Sequence, residues 1–136
     1  MPMSQANWMA IAALVARSIF AALFAMAAIL KFADPRATAH FIAAAGFPLA
    51  SVLVWMAALF ETALAICLLT GVVFSSAAIG AAAYVLFLGF AFHGPTHWAG
   101  NQAEFGFFVD HFTFVAGLLF AACYGPGTLV ILRRAR

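Results

Sequence analysis

This sequence is short of charge. Among 136 residues there are four acidic and six basic side chains, with four histidines, so that 7% of the chain is charged. A soluble domain carries roughly 25%. A chain this poor in charge cannot cover a water-facing surface, so lipid is the solvent for most of it. The net charge of +2 is small and scattered, which excludes nucleic acid as a partner. Cysteine is scarce as well. Cys67 and Cys123 are isolated within apolar runs, and with no C-x-x-C pair the sequence makes no case for a dithiol redox site. Nor does the chain carry a haem or flavin motif.

Apolar residues fill the space that charge leaves. They make up 68% of the chain, sixteen of them Phe, and the mean hydropathy is +1.12. They fall into four runs, at about 8–31, 49–70, 76–93 and 105–124. As helices, such runs are long enough to cross a hydrocarbon layer of roughly 30 Å. Open strands would leave backbone groups unsatisfied in lipid. The expected fold is therefore all-α, an integral membrane four-helix bundle forming one transmembrane domain over 1–136. The first run is not read as a signal peptide, because no Lys or Arg precedes it, it is too long, and Arg17 interrupts it. Between the first two runs, Asp34-Pro35 is a helix start and Gly46-Phe47-Pro48 a stop. The short helix between them, with Phe41, Ile42 and Ala45 on one side, is expected to lie at the membrane interface. An even number of spans puts both termini on one side. Arg133, Arg134 and Arg136 on that side outnumber Lys31 and Arg36 on the other, which predicts cytoplasmic termini.

Two charges interrupt the spans. Glu61 lies in the middle of the second run and Arg17 in the first. Counting from the middle of each run at 1.5 Å per residue puts both roughly 3 Å from the bilayer centre, on the same side. Ala13, Ala21, Ala25 and Ala28 share the stripe of Arg17, and Ala57, Ala58 and Ala65 that of Glu61, so small residues turn both charges into the bundle. The expectation is a buried pair, Arg17 touching Glu61 directly or through one water. It could fix helix register alone, or bind a polar head group or move a proton.

A second polar set, the outer mouth, comprises Lys31, His93, His97, Asp110 and His111. Gly106, Asp110, Thr113, Gly117 and Ala121 share a face, so Asp110 is expected to point inward beside His93, with His111 about 100° away. Histidine with carboxylate could make a metal site, a haem ligand or a quinone pocket, or simply meet water and head groups. Gly94-Pro95 keeps His93 and His97 off one regular helix, and no metal site is expected.

Arg17 followed by an apolar run to Leu30-Lys31-Phe32, then Ala45-Gly46-Phe47-Pro48, Glu61, His93 and Gly125-Pro126-Gly127, resembles the DoxX family over nearly the whole chain. The resemblance implies a small four-helix protein of the bacterial inner membrane and singles out Arg17, Lys31, Glu61 and His93. It implies a quinone-linked redox component, or the membrane partner of one, with quinone as the carrier and other membrane or soluble redox proteins as partners. An oligomer is compatible with it. The alternative is a non-enzymatic accessory subunit of a larger membrane assembly. One stretch departs from the family. Many relatives open the last helix with a motif like Asn-Phe-x-Lys-Asn, where this chain has Phe107-Phe108-Val109-Asp110-His111.

Overall fold

The computed structural model describes residues 5–130. It contains helices α1 (Gln5–Ala33), α2 (Pro35–Ala44), α3 (Ala50–Thr70), α4 (Phe74–His93) and α5 (Gln102–Tyr124), with a single 3₁₀ turn at Pro95–His97 before α5. There is no strand among the described residues. The helices α1, α3, α4 and α5 are each long and apolar enough to cross a membrane. The short α2 suits the interfacial position expected of it. Arg133, Arg134 and Arg136, on which the orientation rests, lie outside the described residues.

The chain divides into two compact units. The first holds α1, α2, α3 and the segment 125–130, and the second runs from Ser75 to Tyr124.

In the first unit α1 packs along α3, and α2 packs on α3. The buried face of α1 carries Arg17, Ala21, Phe24 and Ala28, and that of α3 carries Val54, Ala58, Glu61, Leu64, Ala65 and Leu68. Large apolar side chains such as Ile19, Met26, Ile29, Leu59 and Ile66 point outward. Charge inside and bulk hydrophobe outside is the arrangement that a lipid solvent requires. The alanines let the two backbones approach, and dispersion between them replaces the hydrophobic effect that is missing in lipid. Thr62 and Thr70 donate their hydroxyls to the carbonyls of Ala58 and Ile66, each at 2.7 Å, so neither is left unsatisfied.

Helix ends follow local chemistry. Asp34 caps α2 by accepting from Ala37 N at 3.0 Å, with Pro35 opening the helix. Gly46, at φ +86°, turns the chain out of α2. Ile42 is the buried residue of α2, while its neighbour Phe41 is exposed, so the two do not share a side. Gly71, at φ +85°, closes α3 and donates to Cys67 O at 2.9 Å.

In the second unit, Gly89 lets α5 approach α4 closely. A Cβ there would stand 3.0 Å from His111 Cβ. Phe90, Phe108 and Phe112 meet edge to face, with centroids 4.9–6.0 Å apart.

Candidate functional site

Arg17 and Glu61 are both buried, at 2% and 1% exposure, yet they form no ion pair. Glu61 instead takes Lys31, whose Nζ lies 2.9 Å from Oε1. The Glu61 side chain is 2% exposed and that of Lys31 is 18%. Lys31 also donates to Ala27 O at 3.4 Å, one turn back along α1. The reason for the exchange is register. Arg17 Nη1 packs at 3.2 Å from where a Gly71 Cβ would stand. It therefore lies opposite the end of α3, roughly 15 Å along the axis from Glu61. At the other end of α1, Phe32 meets Trp55 of α3, their ring centroids 5.9 Å apart. Lys31, expected at the outer mouth, turns back along the helix on its long stem and neutralises the carboxylate.

Arg17 finds a main-chain partner. Its Nη2 donates to the carbonyl of Leu129, in the segment that follows α5 in sequence and folds onto the first unit. Its Nε and Nη1 have no hydrogen-bond partner among the described residues. An unpaired buried N–H is unfavourable by about 1–3 kcal/mol, and more when charged.

The second polar set is built on the second unit. His93 is the last residue of α4, and Glu104 lies in the first turn of α5. Their side chains meet at 2.7 Å, Nδ1 to Oε2, with 22% and 24% exposure. An ionised carboxylate only accepts, so Nδ1 carries the proton in this contact. Trp98 donates from Nε1 to His93 O at 2.8 Å and ties down the connection. Phe107 and His111 stand against the His93 ring, with centroids at 5.4 and 5.2 Å.

Glu104, not Asp110, thus supplies the carboxylate, and Asp110 is exposed. At about 100° per residue, Glu104 and His111 fall on one face of α5, while Asp110 is roughly 120° away. His97 is exposed on the 3₁₀ turn, hydrogen-bonded with Thr96 at 3.2 Å. Glu104 had a signal in the sequence. Asn101 accepts from Glu104 N at 3.4 Å, the Asn-x-x-Glu pattern of a helix start. The acid at its fourth position reaches back toward the end of α4. Among the described residues, no group of three or more His, Cys, Asp and Glu is placed to hold a metal ion.

A profile of the DoxX domain matches residues 12–94, more than half of the chain. The chain belongs to the DoxX family. The matched stretch includes Arg17, Lys31, Glu61 and His93 and ends before Glu104, Asp110 and His111. No curated protein and no solved structure shows significant similarity to this DoxX member.

Proposed function

We propose that this multi-pass membrane protein of the DoxX family is a quinone-linked redox component, or the membrane partner of one. We further propose that it resides in the bacterial inner membrane with cytoplasmic termini and works beside other membrane or soluble redox proteins. The observation that carries the redox reading is the 2.7 Å contact between His93 and Glu104 amid aromatic rings. A quinone carbonyl needs a hydrogen-bond donor when it gains electrons and a proton acceptor when it returns them. Protonated at both nitrogens, His93 offers Nε2–H to the carbonyl oxygen, and Glu104 balances the imidazolium charge. Neutral, it takes the proton back on Nε2. Phe107 and His111 give a planar head group faces to lie against.

The test is purification in mild detergent followed by extraction and quantification of quinone. Wild type is expected to carry quinone near stoichiometry. Glu104→Gln should retain about tenfold less, since a hydrogen bond to a charged group is lost, and His93→Ala less still. A wild type that carries no quinone and takes up none of a short-chain analogue would exclude this reading.

A second reading, the accessory subunit, draws on the first unit. There Lys31 already balances Glu61, as a purely structural ion pair would. It predicts a polypeptide in place of a quinone in the same purification.

A further inference from the structure

Arg17 holds hydrogen-bond donors that no described residue uses. The residue is 2% exposed, and its Nε and Nη1 lack partners, whereas buried N–H groups are nearly always bonded. Those two nitrogens carry three protons. An oxyanion with several lone pairs, above all a phosphate, is their complement in charge and geometry.

Depth narrows the source of that anion. Arg17 lies level with Gly71, which closes α3. The 21 residues of α3 match a hydrocarbon thickness of roughly 30 Å. By the span of α3, the guanidinium therefore stands at the level where lipid phosphates begin. At Ser18, the next residue, an apolar groove of about 470 Å³ opens between α1 and α3. Ala22, Ala25 and Phe32 line it from α1, Thr62 and Leu69 from α3. From Ser18 to Phe32 it runs roughly 20 Å along α1. One leaflet of hydrocarbon is about 15 Å thick, so the groove has length enough for an acyl chain.

We propose that the first unit binds a phospholipid, its phosphate on Arg17 Nε and Nη1 and one acyl chain in the groove between α1 and α3. The segment 125–130 is the cover of this site. Leu129 O occupies Nη2 alone. Gly125 and Gly127, at φ +77° and +79°, let the segment turn over Arg17. The proposal is independent of His93 and Glu104, which lie in the other unit and are tested with a different ligand.

The experiment is native mass spectrometry of the full chain in mild detergent, titrated separately with phosphatidylglycerol, with diacylglycerol of the same chains, and with inorganic phosphate. Phosphatidylglycerol should bind at about tenfold lower concentration than diacylglycerol. Arg17→Gln should abolish that preference. Ala25→Phe, which fills the groove and leaves the guanidinium in place, should weaken both lipids together, and it keeps the proposal testable if the Arg17 variant fails to fold. Equal binding of the two lipids by wild type would overturn the proposal. Inorganic phosphate binding as tightly as phosphatidylglycerol would overturn it in favour of a free-anion site. Phospholipid binding unchanged in Ala25→Phe would overturn it too.

Discussion

Glu61 and Lys31 differ in how far each can retreat from the other. Lys31 is partly exposed and sits on a flexible stem, whereas Glu61 is held inside α3 at 2% side-chain exposure. Removing Glu61 leaves an ammonium that can swing outward. Removing Lys31 strips the ammonium from a buried carboxylate. Lys31→Met is therefore expected to destabilise by up to about 3 kcal/mol, against about 1 kcal/mol for Glu61→Gln. The double variant Lys31→Met with Glu61→Met should be more stable than Lys31→Met alone. Thermal unfolding of all three in one detergent reads this out, and strictly additive losses would show that the 2.9 Å contact carries no coupling. Substitutions at Arg17 and Glu61 should add within about 0.5 kcal/mol, because Arg17, on α1, lies opposite the far end of α3 from Glu61. That both were buried was legible from single charges set among small residues. Their partners were not. Depth counted from the middle of an apolar run assumes that helices are centred alike, and α1 extends beyond its run at both ends. Leu129 was beyond reach for a different reason: it gives Arg17 a carbonyl, which every residue has.

At the scale of elements, helix ends were the readable part. Asp34-Pro35, Gly46 and Gly71 act where their chemistry says they should, since caps and left-handed turns depend on a few neighbouring residues. The start of α3 was less so, because Leu49 takes a positive φ of 55° with no side-chain cap. Only packing selects such a conformation. Two glycines with nearly equal φ separate backbone strain from packing. Gly46 has open space around its would-be Cβ, while a Cβ on Gly71 would meet Val130 Cγ1 at 2.8 Å. Gly46→Ala should lower stability by about 1 kcal/mol through the left-handed conformation alone. Gly71→Ala should lower it further, and adding Val130→Ala should recover part of the difference, since Arg17 Nη1 and Pro126 Cβ would still stand 3.2 Å away. Equal effects at the two sites in thermal unfolding would mean that the segment 125–130 does not press on Gly71.

The molecule as a whole offers Cys123 as a reporter of orientation. It is exposed, one residue from the end of α5. With cytoplasmic termini, a membrane-impermeant maleimide should label it in inside-out vesicles and leave it unlabelled in intact spheroplasts. The reverse pattern would turn the protein over. Four spans were legible because lipid imposes one rule, apolar length, on every stretch that crosses it. The polar contacts were less legible because each joins residues whose separation along the chain carries no period. The longest of them, from Arg17 to Leu129, bridges 112 residues. Translation therefore delivers the two ends of this bond at different times. At about 5–20 residues per second, Arg17 waits roughly 6–20 s for its carbonyl. A nascent chain must lodge that cation against lipid or the insertion machinery throughout. A polypeptide stopped after Tyr124 never receives that carbonyl, and Nη2 is left without it. Such a truncation should be cleared faster than the full chain in pulse-chase, and Arg17→Leu should lengthen its life.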